Sequence, residues 1–287
     1  MKKKELAILI DISTFAYRSL YSKHDNDSEH PVAKKTLRYL LNIINEFSPD
    51  YLAISFDSDR DKIYRRTILP EYKADRSDRP KEITEGLKIV KEFCNMFNIL
   101  VLEDEFNESD DHIASAVKQF EKSKVFSVVA SADGDLTQLF SKYTKIGKPT
   151  RTSIKVLRTW SQIQSNFKKI QVDSPDKVRD YLSLQGDKSD NIPNVPKIGA
   201  KRALDLIEKY GDIRTMYNSD DKLLWNLREY EDMVFKNRNL VKLYNKIPMP
   251  DLEEFRYGSF NYDKALKWME EHGLSNKLFN EIIDLDF

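Results

Sequence analysis

The sequence predicts an α/β protein, a mostly parallel sheet flanked by helices and followed by a helical C-terminal region. Three observations carry that prediction. Four short runs are apolar throughout rather than alternating. Segments with helical periodicity lie between them, and after Ser174 the chain reads as short helices separated by turns. Strands apolar on both faces, alternating with amphipathic helices, are what a parallel sheet covered on both sides requires.

The elements follow in order. Leu6–Ile10 is the first strand. In "VAKKTLRYLLNIINEF" the residues Leu37, Leu40, Leu41, Ile44 and Phe47 share one helix face. Tyr51–Phe56 is the second strand. "ITEGLKIVKEFCNMF" places Ile83, Leu87, Val90, Phe93 and Phe97 on one face, and Ile99–Leu102 is the third strand. "DHIASAVKQF" does the same with Ile113, Ala116, Val117 and Phe120, leading into the fourth strand, Val125–Ala130. From Lys142 to about Val172 the pattern is irregular, and a hairpin is expected around "KIGKPT". Two domains are expected, residues 1–172 and 173–287.

Composition narrows the class. The 287 residues carry 47 Lys and Arg against 47 Asp and Glu, so the net charge is zero and no global bias toward nucleic acid exists. The single cysteine, Cys94, excludes a disulfide framework and fits a reducing compartment. "MKKKELAILID" begins like a signal peptide, but its apolar run is shorter than the roughly 7–15 residues of a secretory core. No stretch approaches the ~20 apolar residues of a membrane span. A soluble, cytoplasmic protein with no membrane partner is expected. Charge is nevertheless uneven. Lys142 to Lys169 holds eight basic residues and no acidic one, and Arg60 to Lys91 holds ten against six.

The strand ends carry the chemistry. The first strand runs into Asp11 and the second into Asp57. After the third comes "ESDD", with Glu108, Asp110 and Asp111, and after the fourth come Asp133 and Asp135 around Gly134. In an open parallel sheet, functional groups gather outside the carboxyl ends of the strands. One acidic strand end is ordinary turn chemistry, but four at the same edge are not. Such carboxylates raise one another's pKa unless a cation joins them. An all-oxygen set suits Mg²⁺ or Mn²⁺ and argues against zinc, and two ions suit in-line displacement at phosphorus. Gly134 is expected to permit a tight turn that aims Asp133 and Asp135 at metal. Downstream, "LQGDKSDNIPNVPKIGAKRALDLI" spaces Asp187 and Asp190 three apart, then enters a helix through Lys197, Lys201 and Arg202. A helix start with cations suits phosphate.

These pieces, "DISTFAYRSLY", "FDSDRDKIYRRTILPEYKADR", "ESDDHIA", "SADGDLTQLF" and "QGDKSDNIPNVPKIGAK", run through most of the chain in one order. In that order the chain resembles the 5′ nuclease (flap endonuclease) family, which includes the exonuclease domain of bacterial DNA polymerase I and the phage 5′ nucleases. "DHIA", "DGDLTQL" and "GLSNKLFNEI" extend the resemblance to the phage ribonuclease H branch. The resemblance implies a two-Mg²⁺ enzyme, with Mn²⁺ as a substitute, that cuts 5′ flaps, nicked or gapped duplex DNA and RNA primers in RNA–DNA hybrids. It implies Asp11, Asp57, Glu108, Asp110 and Asp133 at a first metal. Asp135, Asp187 and Asp190 would serve a second, with Asp111 or Asp133 shared. Lys73 and Arg76 match the cations at the base of a helical arch, within a region around residues 65–97, that contact the scissile phosphate. Tyr72 matches a base-stacking position, and Arg18 and Arg65 match basic positions in the cleft. Lys148, Arg151 and Lys155, from the acid-free stretch, are expected on DNA backbone.

Two departures stand out. Ile12 replaces a glycine after the first aspartate, and "NVPKIG" has Asn194 and Lys197 where the family's helix-hairpin-helix has glycines. The family forms a K⁺ site in that hairpin, and Lys197 instead offers a direct phosphate contact. The tail "NEIIDLDF" either packs on the protein's own last helix or docks on a sliding clamp; a single-stranded-DNA-binding protein is a further expected partner of a monomer. Rival readings fit less well. A PIN-type ribonuclease lacks the Asp187 and Asp190 pair, an aspartate-nucleophile phosphatase places its pair at the first strand, and a DNA-structure-binding protein without catalysis has lost carboxylates.

Overall fold

The computed structural model describes residues 4–22, 29–258 and 260–274. Its centre is a six-stranded sheet in the order β3-β2-β1-β4-β5-β6. The strands are β1 Leu6–Asp11, β2 Tyr51–Ser55, β3 Leu100–Leu102, β4 Phe126–Ala130, β5 Thr144–Pro149 and β6 Ile154–Leu157. The pairs from β3 through β5 are parallel, and β6 closes the edge antiparallel to β5. The expected hairpin exists, turning at Thr150, whose N–H reaches the Ser153 carbonyl at 2.8 Å. Its pairing with β4, which widens the sheet, was not evident from its irregular pattern.

Alternate strand residues feed different cores, which explains why the strands are apolar throughout. Ala7 and Leu9 of β1 face one cluster, and Ile8 and Ile10 face the other. The second cluster is covered by α1 Ile12–Leu20, α2 Pro31–Phe47, α4 Lys81–Met96 and, returning from the C-terminal side, α12 Tyr262–Glu271. Trp268 of α12 meets the Phe93 ring edge-on at 5.3 Å. The first cluster is covered by α5 Ser109–Lys122 and continues into the helical region: α6 Trp160–Asn166, α7 Val178–Gln185, α8 Ala200–Tyr210, α9 Ile213–Tyr217, α10 Trp225–Arg228 and α11 Glu231–Leu240. Asn237 of α11, fully buried, donates to the Ser183 and Pro193 carbonyls at 3.0 and 2.7 Å, tying α11 to α7 and to the turn after it. Gly186 ends α7 at φ 72°, where a Cβ would sit 2.5 Å from the Asn194 nitrogen, so this position demands glycine.

The segment 65–97 departs from the expected arch. On either side of the short α3, Arg65–Ile68, residues Ile63 and Tyr72 are buried, and α4 packs through Ile83, Val90 and Phe93. Only residues 74–78 form a continuous exposed stretch there. The reason is apolar: the face that would have to stand free is filled with core side chains. No helix among the described residues is long and apolar enough to cross a membrane. The tail from Asp284 to Phe287 lies outside the described residues.

Candidate active site

The chain steps from β1 through β2 to β3 on one side, and from β4 to β6 on the other. The order therefore reverses between β1 and β4, and their carboxyl ends open a crevice there. Asp11 closes β1 at that point. Its Oδ2 accepts hydrogen bonds from the hydroxyls of Thr14 at 2.6 Å and Ser131 at 2.7 Å, one from α1 and one from the end of β4. Ser131 Oγ also accepts the Asp133 N–H at 3.0 Å. Asp57, just past β2, accepts from Ser13 Oγ at 2.7 Å and from the Ser109 N–H at 3.2 Å. Thus the first residues of α1 and α5 aim the carboxylates of neighbouring strands.

Electrostatics confirm that the carboxylates crowd. Burial, then the charge of Asp57, pushes Asp11 up to about 6 despite its two hydrogen bonds. Burial, then Asp133 and Asp11, raises Asp110 well above the carboxylate range. Burial and Asp133 push Asp135 up to about 7. Among the described residues, no three His, Cys, Asp or Glu side chains close into a ready ligand cage. The donor set still fits a hard divalent cation. It is all oxygen, it draws on four adjacent strand ends, and its mutual repulsion is what such an ion relieves.

Two of the expected ligands are held differently. Burial alone would raise Glu108, but Lys73 and Arg65 outweigh it and hold the carboxyl below its usual range. Lys73 bonds to Glu108, and Arg76 bonds to Asp190. Lys73 itself sits at φ 55°, in the left-handed region, with its N–H on the Asp190 carbonyl at 3.0 Å. The expected pair Lys73 and Arg76 thus stands directly against the acidic edge. With Arg60, Arg79, Tyr17 and Tyr21 they line a cavity of 290 Å³ that also reaches Asp57 and Glu108. Arg60 and Arg79 were missed as individuals, although they belong to the basic stretch the sequence showed.

Four expectations need correction. Asp111 is fully buried and both its oxygens are committed, Oδ2 to Arg65 Nη1 at 2.5 Å and Oδ1 to Arg65 Nη2 and the Tyr244 N–H, each at 2.8 Å. It is therefore not placed to hold metal. Arg65 is only 3% exposed and donates also to the Leu240 and Lys242 carbonyls, so it does not line a DNA cleft. Tyr72, equally buried, directs its hydroxyl at Glu108 and Asp190 at 3.3 and 3.2 Å and has no free ring face for a base. Gly134 has φ −68° and room for a Cβ, so its turn does not need glycine.

The other expected contacts divide. Arg18 and Arg151 are exposed and line a second cavity, of 620 Å³, with Tyr17, Tyr21 and Tyr39. Lys155, Lys201 and Arg202 are exposed. Lys148 is half-buried, its ammonium on the Asn166 carbonyl and over the Phe167 ring, which withdraws it from the surface. Lys197 is exposed at φ 65°, the left-handed conformation that glycine adopts without strain. Asp187 caps the turn Lys188–Asp190 by accepting the Ser189 N–H at 2.9 Å.

Fold and site together define a class: an α/β core with an acidic crevice at its switch point, joined to a helical region. The chain belongs to the 5′-3′ exonuclease family. Residues 6–170 match its N-terminal, resolvase-like domain and residues 173–263 its C-terminal SAM fold. DNA polymerase I of Bacillus caldotenax is 29% identical over 288 residues, covering 97% of this chain and 32% of that protein. The chain thus spans about a third of the length of the DNA polymerase I relatives it matches. A 5′-3′ exonuclease of Buchnera aphidicola subsp. Schizaphis graminum is 29% identical over 263 residues, covering 86% of this chain and 89% of the relative. Among solved structures, the bacteriophage T5 D15 flap endonuclease, a pseudo-enzyme–product complex with DNA and metal ions, has a TM-score of 0.69 at 21% identity and covers 98% of each chain. The T5 D15 protein crystallised with metal ions gives 0.69 at 22% identity over 84% of this chain and 90% of that one. These likenesses are of fold.

Proposed function

We propose that this chain is a divalent-metal-dependent 5′ nuclease acting near the 5′ ends of DNA flaps and of nicked or gapped duplex, and on RNA primers in RNA–DNA hybrids. The observation that carries it is the carboxylate group at the switch point: Asp11, Asp57, Asp110 and Asp133 follow four adjacent strands, and burial together with the neighbouring charges raises Asp11 and Asp110. Those four, with Glu108, would hold one Mg²⁺, and Asp135, Asp187 and Asp190 a second; Mn²⁺ would substitute. When bound, the ions supply Lewis acidity and a nucleophile for displacement at phosphorus.

The chain's own residues do the rest. Thr14, Ser131 and Ser13 fix the carboxylate orientations, so no reorganisation is needed when substrate arrives. Lys73 and Arg76 stand within ion-pair reach of Glu108 and Asp190, where a scissile phosphate bridging the acidic edge would meet positive charge. Arg60 and Arg79 extend that charge along the cavity. Lys197, Lys201 and Arg202, at the entrance to α8, suit duplex phosphates. The two proposed domains, residues 1–172 and 173–287, would divide chemistry from duplex binding.

A 5′-labelled flap substrate incubated with Mg²⁺ or with EDTA tests this directly. Short labelled products with Mg²⁺ alone are expected. Asp133→Asn should abolish them while DNA binding is kept or strengthened, because removing one negative charge eases repulsion with phosphate. Near-normal turnover by that variant at saturating Mg²⁺ would sink the assignment.

A further inference from the structure

Lys169 belongs to none of the motifs above, yet it stands between two of them. Its backbone is clamped. Phe167, Ile170 and Val172 are buried, and the Ile170 side chain would lie 3.6 Å from a Cβ on Gly134, so the segment is pressed against the turn that carries Asp133 and Asp135. The Lys169 side chain, 41% exposed, reaches back into the site. Its ammonium hydrogen-bonds to Asp187 and lies 3.9 Å from Asp135 Oδ1. Asp135 follows β4 in the N-terminal part, while Asp187 follows α7 in the helical part. One cation therefore ties together two carboxylates from different halves of the molecule. Of the other cations at the acidic edge, Arg65 and Lys73 are far less accessible, with side chains 3% and 14% exposed, and Arg76, 38% exposed, pairs with Asp190. Lys169 combines a long stem with an open path to solvent beside the Asp135 and Asp187 pair.

We infer that Lys169 is a built-in cation of the second carboxylate group, holding Asp135 and Asp187 together until a divalent ion displaces it. The inference rests on the two-metal reading above. An ammonium and a divalent ion cannot both neutralise the same pair at close range, so they compete. The released ammonium faces the crevice where phosphate would bind, which gives it a new partner only when nucleic acid is present. Second-ion binding and nucleic-acid binding then strengthen each other, as linkage requires. Lys169 is a positioning residue in this scheme; no chemical step passes through it.

Binding of Mn²⁺ to the full chain without nucleic acid, followed through the electron paramagnetic resonance signal of free Mn²⁺, is the test. Wild type should show a tight and a weak class of site. Lys169→Met, similar in length but uncharged, should tighten the weak class by roughly tenfold or more, and Lys169→Arg should leave it as in wild type. In EDTA, Lys169→Met should also melt below wild type, and saturating Mn²⁺ should close that gap. An unchanged weak class in Lys169→Met, with the same loss of melting temperature with and without Mn²⁺, would reduce Lys169 to an ordinary ion pair and overturn the inference. If wild type binds no Mn²⁺ at all, the two-metal reading falls and takes the inference with it.

Discussion

Asp11 is oriented before any ligand arrives, because Thr14 and Ser131 donate to the same carboxylate oxygen. Hydrogen bonds to a charged group contribute about 1.5–3 kcal/mol each, so the pair Thr14→Val and Ser131→Ala should loosen Asp11 without emptying the site. Single-turnover cleavage is expected to fall by at least about tenfold, with a higher Mg²⁺ requirement; an unchanged rate and Mg²⁺ midpoint would show that orientation does not matter here. Lys73 differs, since it stands where phosphate would sit. Lys73→Ala should lower the single-turnover rate much more than affinity, by roughly 2.7–4 kcal/mol if it acts like a preorganised oxyanion donor. Weakened binding with an untouched rate would make it a docking residue only. Asp11 and Asp57 were readable because each follows an apolar run directly. Lys169, 18 residues before Asp187, had no such marker.

At the scale of elements, α5 is fastened at its N-terminus by a buried cation. Arg65 of α3 joins Glu108 and Asp111 to the carbonyls of Leu240, the last residue of α11, and of Lys242 just beyond it. Removing one partner of a buried pair leaves an uncompensated charge, at a cost of about 3–5 kcal/mol. Arg65→Met should therefore lower stability by that order in urea denaturation, and adding Asp111→Leu should recover most of it. Failure of the second change to help would place the loss elsewhere than in the unpaired Asp111. The β5–β6 hairpin makes a separate prediction. Each phosphate contact contributes about −0.9 to the slope of log affinity against log salt on duplex DNA. Reversing Arg151 and Lys155, both exposed, should flatten that slope by up to about 2. Lys148, held by the Asn166 carbonyl, should change it little when mutated alone. An unaltered slope in the double reversal would return the hairpin to plain surface.

For the whole molecule, the acidic crevice makes stability depend on pH and on metal. Asp11 and Asp135 are pushed up to about 6 and about 7, so between their unfolded values near 4 and those values the folded chain binds more protons than the unfolded one. Stability in EDTA should then fall as pH rises from 4 to 7, by roughly 3 kcal/mol for each independent two-unit shift and less where the groups are coupled. His112, which burial holds below the usual histidine value, works in the opposite sense near the top of that window. Saturating Mn²⁺ should remove most of the fall, and urea titrations at several pH values would measure it; a metal-free protein as stable at pH 7 as at pH 4 would mean that the crowding is relieved in some other way. The strands, the helix faces and the acidic sheet edge were decided by the sequence itself, since apolar periodicity and the residue that follows a strand are local properties. Which charges would be open and which buried was decided only by the tertiary structure. Arg65 finds its carbonyl acceptors 175 and 177 residues away, and Asp111 finds the Tyr244 N–H 133 residues away. An ion pair depends on distance and exclusion of water, and neither is written in the spacing of residues along a chain.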